Sequence, residues 1–213
     1  MNFVDYIRHI CIFFCIICTY ESSAQIAVTN NPPFDTEQSV VTDVLLGSGI
    51  VASNFSSVGF ANGIGYFDGF NANIGFEEGI ILSTGGLAFV TDGFGAGSGV
   101  SGDADLSDAL SAIGMTGFSV NNVTILEFDF VAQSETMAFN YVFGSMEYTS
   151  YTCSIFNDIF GFFLSGPGIS GPYSNDAVNL AYVPDPNNPG GYTNTPVAVN
   201  TINAGELTND PDC

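Results

Sequence analysis

The sequence predicts an all-β fold, an antiparallel β-sandwich of jelly-roll type with one short N-terminal helix. Three observations carry this. Apolar and polar residues alternate in several short segments, most clearly 123–131, where Leu126, Phe128 and Phe130 take one face and Glu127 and Asp129 the other. Glycine (25 residues) and proline (9 residues) break the chain often enough to turn between such segments. Phenylalanine (20) and tyrosine (9) supply core volume, and no long stretch repeats apolar residues at helical spacing. Many short strands with glycine and proline turns are the pattern of sandwiches and jelly rolls. With 46% hydrophobic and 11% charged residues the chain is too apolar for disorder, and its 213 residues fit one domain.

The N-terminus reads as a secretory signal peptide over residues 1–24. Arg8 and His9 precede the apolar run 10–18, and Ser22, Ser23 and Ala24 offer the small residues a signal peptidase reads. The run is far shorter than the ~20 residues that span a bilayer. A lipoprotein would need a small residue before a cysteine, and Ile17 precedes Cys18. The expected mature chain is residues 25–213, a single β-sandwich domain.

Within it, Thr36–Leu46 is the helical candidate, because Val40, Val41, Val44 and Leu45 recur at helical spacing. Asn62-Gly63 predicts a hairpin between 50–60 and 64–67. Residues 79–83 read as a buried strand. Met137, Phe139, Tyr141 and Phe143 repeat the alternation, as do Phe160, Phe162 and Leu164 in 158–164. Weaker strands are expected over 178–183 and 197–202. Residues 92–102 form a glycine-rich loop; without a lysine it is no phosphate cradle. Residues 184–196 read as a second long loop.

Charge excludes whole classes of function. Arg8 and His9 are the chain's only basic side chains, and both precede Ala24. Asp5 and Glu21 leave with them, so 20 of 22 acids remain and the mature charge is −20 with no Lys, Arg or His. Nucleic-acid binding needs cations to neutralise phosphates, and anionic membranes are disfavoured for the same reason. A Ser-His-Asp or Cys-His site is impossible without histidine, and a Schiff base needs lysine. Carboxylate, amide, hydroxyl and carbonyl oxygens remain, the ligands of calcium. Calcium would also relieve repulsion among acids that lack a basic partner.

Two acidic groups are candidate calcium ligands. Asp103, Asp105 and Asp108 follow the glycine-rich loop, and Asp92 stands at its other end. Their spacing is not that of an EF-hand, and the competing reading is an N-terminal cap for a short helix over 106–113. Glu147, Asn157 and Asp158 form the second group, at strand ends that two adjacent strands could bring together. The other reading is an ordinary solvated strand end. Glu127 and Asp129 share a face and could suit a carboxylate-based glycosidase, but alternation explains them as the wet side of a strand. Cys153 and Cys213 survive cleavage, and two cysteines in an oxidising compartment point to one disulfide.

Seven segments in order carry a family resemblance: Val41–Gly49, Gly63–Phe67, Gly79–Gly85, Gly102–Leu106, Leu126–Phe130, Phe139–Ser145 and Phe156–Gly168. From about residue 37 to the end the chain resembles the choice-of-anchor L domain of bacterial surface proteins, mostly from the Bacteroidota. The resemblance implies an exported domain of large adhesin-like proteins. These are commonly fixed to the outer surface by separate C-terminal sorting modules, often of the type IX secretion class. It implies no enzymatic activity. Such domains usually carry two acids before the tyrosine that follows Gly-Ser, whereas here Met146 precedes Glu147 and Tyr148. They also usually continue past Cys213, so the domain is expected to be incomplete at its C-terminus. The expectation is a secreted, non-catalytic surface module for adhesion or structural display, calcium-stabilised, with no nucleic-acid partner and no membrane insertion after signal cleavage. The rival readings are a calcium-dependent, lectin-like module with a glycan ligand, and a secreted glycosidase.

Overall fold

The structure, a computed structural model, describes residues 25–47, 49–93, 97, 99–148 and 151–202. The all-β class holds: the strands lie in small antiparallel sheets joined by a few short helices. After β1 (Ala27–Thr29) comes the expected helix. Thr36 caps α1 (Glu37–Ser39): Ser39 N–H donates to Thr36 Oγ1 at 3.1 Å, and Thr36 N–H donates back to Ser39 Oγ at 3.3 Å. This reciprocal box satisfies two amides that a first turn leaves free. The chain then widens into a π-helix over Val40–Leu45, and Leu46 N–H donates to Val41 C=O at 2.9 Å. Val40 and Val41 are 1% and 0% exposed, so tertiary burial anchors residues that weaken a helix by propensity.

The Asn62-Gly63 hairpin is not formed. β3 (Ile64–Asp68) pairs with β1 and with β4 (Glu78–Leu82), while β2 (Ile50–Val58) crosses to β5 (Ile125–Ala132). The turn's backbone is engaged elsewhere. Ser83 N–H donates to Gly63 C=O at 2.7 Å, and the N–H of Leu87, which opens α2 (Leu87–Asp92), donates to Asn62 C=O at 2.8 Å. A Cβ on residue 63 would lie 2.8 Å from the Ser83 carbonyl oxygen, so glycine is needed here for close approach.

α3 (Ala104–Ala112) organises the centre. Leu110 packs with Val120 and Val123, and Ala109 with Tyr173 and Ala177. Ile159 packs against both groups and joins them into one core.

The aromatic alternation of 137–143 does not make a ladder. Phe139 sits edge-on to Phe162 at 4.7 Å, and Tyr141 and Phe143 lie 5.1 and 6.5 Å from Phe160. Over 158–164 only β6 (Phe163–Leu164) is a strand; it pairs with β7 (Val178–Asn179), and Phe160 N–H reaches Val197 C=O at 3.0 Å. The loop expected over 184–196 is largely a hairpin of β8 (Tyr182–Pro184) and β9 (Tyr192–Pro196). The strand expected over 197–202 is instead α4 (Val199–Ile202). Thr201 explains the change: its Oγ1 accepts Ala198 N–H at 2.9 Å and donates to Pro196 C=O at 2.7 Å, folding the backbone into a turn.

Because α3 supplies the shared packing surface, Leu110→Ala should lower the unfolding free energy by about 2–5 kcal/mol in urea titration. Phe70→Ala, at a side chain 73% exposed, should change it by no more than about 0.5 kcal/mol.

Candidate functional site

The acids of the first group are placed by α3. Asp103 is its N-cap, with Oδ1 accepting Leu106 N–H at 2.8 Å. Asp105 lies in the first turn of α3, where its Oδ1 accepts both the N–H and the hydroxyl of Ser174 at 2.8 and 2.7 Å. It thereby ties α3 to the 3₁₀ turn Ser174–Asp176. Asp108 is exposed, and its charge adds slightly to what burial does chiefly to Tyr173, whose phenol is pushed up to about 12. Asp92 is the last residue of α2, and the following Gly93 faces the Met146 methyl. These four carboxylates thus have separate surroundings. Among the described residues, no three His, Cys, Asp or Glu side chains are grouped to hold a metal ion.

The second group does draw together. Ser145 Oγ donates to Asp158 Oδ2 at 2.5 Å and accepts Glu147 N–H at 3.0 Å, so one hydroxyl ties the two acidic positions. Glu147 turns back toward Asp158. One of its oxygens, Oε2, is buried without a hydrogen-bond partner, and Thr152 Oγ1 in the following turn is in the same state. Burial pushes the Glu147 carboxyl above its ordinary value, the Asp158 charge adds to this, and the Asp158 backbone N–H opposes it.

Asn157 has a different task from its neighbour. Its carbonyl oxygen accepts Asn200 N–H at 2.9 Å and its amide reaches Met115 Sδ at 3.0 Å. Asn200 in turn accepts Cys153 N–H at 2.7 Å through Oδ1, while Val199 N–H donates to Asp158 C=O at 3.0 Å. The 151–158 turn is therefore pinned to α4. Cys213 lies outside the described residues, as do residues 1–24. The positioning roles of Ser145 and Asn200 went unassigned in the sequence. Ser145 lies inside a quoted motif and could have been found. Asn200 carries no local signal, because its partners are more than forty residues away in the chain.

Chemically, this turn holds two carboxylates and the Ser145 hydroxyl, with two buried oxygens, Glu147 Oε2 and Thr152 Oγ1, that lack a hydrogen-bond partner. Two such carboxylates without a basic partner take up either a proton or a cation. The donor set is all hard oxygen, which suits calcium, and it offers fewer protein ligands than calcium's 6–8, leaving the remainder to water.

Comparison with known proteins gives one result. The family model of the choice-of-anchor L domain matches residues 28–213. No curated protein and no solved structure matches the chain.

The geometry at Glu147 makes a signed prediction. A carboxyl whose value is raised by folding stabilises most below its unfolded value, near 4.5, and that contribution is lost as pH rises through the folded value. In calcium-free buffer, Glu147→Gln should be more stable than the parent at neutral pH. The difference should close as pH falls below about 4.5, which urea unfolding at a series of pH values would measure.

Proposed function

The chain belongs to the choice-of-anchor L domain family, and from that premise we propose that it is a non-catalytic, adhesin-like surface module, exported by the signal peptide of residues 1–24 and stabilised by calcium. Membership in a family of cell-surface-associated domains carries this reading. No described helix is long and apolar enough to cross a membrane. The domain spans residues 25–213 as a β-sandwich, and Cys153 pairs with Cys213 in the oxidising exterior.

The calcium site of this proposal is the 145–158 turn, with Glu147 and Asp158 as ligands and Ser145 holding them in place. The unsatisfied Glu147 Oε2 supports it. Asp103 and Asp105 fit the role less well, since capping and the Ser174 bonds already engage them. Calcium here would pin the turn that α4 also holds, and so would add rigidity to the displayed surface.

One observation favours a second reading, a lectin-like module. Tyr151 and Phe156 are about half exposed and meet edge-on at 5.5 Å, on the turn that carries Glu147. Exposed rings beside a cation site could take a sugar face. Binding on a glycan array that is lost in chelator would support it, and an unchanged blank array would leave the structural role.

The leading proposal is tested by thermal melts of the protein in calcium and in chelator. At a hundredfold excess over Kd, calcium should add about 2.7 kcal/mol and raise Tm by roughly 5–10 °C. Glu147→Gln should lose most of that rise. An equal rise in parent and variant would place calcium elsewhere, and no rise in the parent would reject calcium as a stabiliser.

A further inference from the structure

We infer that the free edge of β5 is a docking site for an extended cationic strand of a partner protein, one that alternates Lys or Arg with apolar residues. Among the described residues, β5 pairs only with β2. Gln133 N–H donates to Gly49 C=O at 3.0 Å, which continues that ladder and sets its phase. Odd-numbered residues of β5 therefore bond toward β2, and the even-numbered Leu126, Phe128, Phe130 and Ala132 point N–H and C=O away. Among the described residues, nothing pairs with these groups.

The outer edge of β2 is guarded. A bulge between Ser53 and Ser56 interrupts it, Asn54 sits there at φ 55°, and Ser57 donates to Glu37 Oε1 of α1 at 2.5 Å. Among the described residues, β5 has no bulge, no proline and no covering helix. Such an edge is a template for strand addition.

The two faces beside the edge state what the added strand must carry. One presents Leu126, Phe128 and Phe130, with Phe128 and Phe130 in ring contact at 6.2 Å and Phe55 stacked on Phe128 at 6.4 Å. The other presents exposed Glu127 and Asp129 beside Val131, which is 67% exposed. A cross-strand neighbour is thus apolar on one face and positive on the other. The described residues contain no Lys, Arg or His, so this chain cannot supply the positive residues.

Two other occupants are disfavoured. A second copy paired antiparallel about Phe128 would set Glu127 against the copy's Asp129, and shifts by one pair of residues set Glu127 or Asp129 against itself; like charges directly opposite destabilise. The chain's own 137–143 segment has turned its aromatic side chains onto Phe160 and Phe162. The inference uses none of the proposed calcium ligands and stands apart from that reading.

Amide hydrogen exchange tests it, with a blocked peptide alternating valine and lysine as the probe. In the free protein, Leu126, Phe128 and Phe130 amides should exchange quickly, and the peptide should protect them. N-methylation at the valines should abolish binding, and a valine–glutamate peptide should not bind. The variant Glu127→Gln alters one exposed side chain, leaves the Asn54–Asp129 bond intact, and should weaken binding up to roughly fivefold, the worth of one cross-strand charge pair. Protection of these amides without peptide would overturn the inference by showing the edge already filled. Binding that survives N-methylation, or that leaves these amides unprotected, would overturn it as non-specific attraction to an acidic surface.

Discussion

No described residue carries a positive side chain, and the structure is organised around that deficit. Each carboxylate must find a neutral donor, water or an ion. Several find hydroxyls or side-chain amides: Glu37 accepts from Ser57, Glu78 from Tyr66 at 2.9 Å, Asp129 from Asn54 at 2.6 Å, and Asp105 and Asp158 from serines. Others accept backbone N–H groups, as Asp103 does at the start of α3 and Asp185 does from Asn187. Hydrogen bonds to a charged acceptor are about twice as strong as neutral ones. They do the positional work that ion pairs do in chains of mixed charge.

This has a consequence for topology. Many of the donors are far from their acids in sequence, so the bonds act as long-range ties. Asp105 joins α3 to the Ser174 turn, and Asn54 joins β2 to β5 at its bulge. The core beneath them is small and centred on α3 and Ile159, with few large side chains fully buried. Surface ties and core therefore meet on the same helix, and its Asp103 cap lies at that junction.

Glu147 departs from this pattern at a buried position. It gains burial and an acidic neighbour, and one of its oxygens gains no donor. The 145–158 turn and the β5 edge express the same property in two ways. At the turn, negative charge is concentrated in a partly buried position that suits a small hard cation. Along β5 it is spread on an open strand, where backbone groups add direction and suit a cationic chain. On the two proposals, a domain whose described residues carry no cationic side chain uses the turn to hold an ion and the edge to hold a partner strand.

Local patterns were legible wherever a residue's role depended on close neighbours in the chain. The all-β class, the helix after Thr36 and the strand around Phe128 all follow from composition and periodicity. Asp103 as a cap was one of two readings available, because a cap needs only the next three residues. Pairing was not legible. Asn62-Gly63 has hairpin chemistry, but Ser83 and Leu87 take its backbone, and neither is visible from the turn. The alternation of 137–143 foretold a face for its aromatic residues and not a ladder, since side-chain period does not say where backbone bonds go. Thr201 turned an expected strand into α4 through a bond to Pro196. By itself the sequence determined which residues are apolar, which are acidic and how each short segment alternates, because those properties belong to the residue and its neighbours. Only tertiary structure decided which strand edges were filled, which carboxylates found donors and which buried carboxylate oxygen, Glu147 Oε2, was left without one, because those outcomes depend on groups brought close by folding.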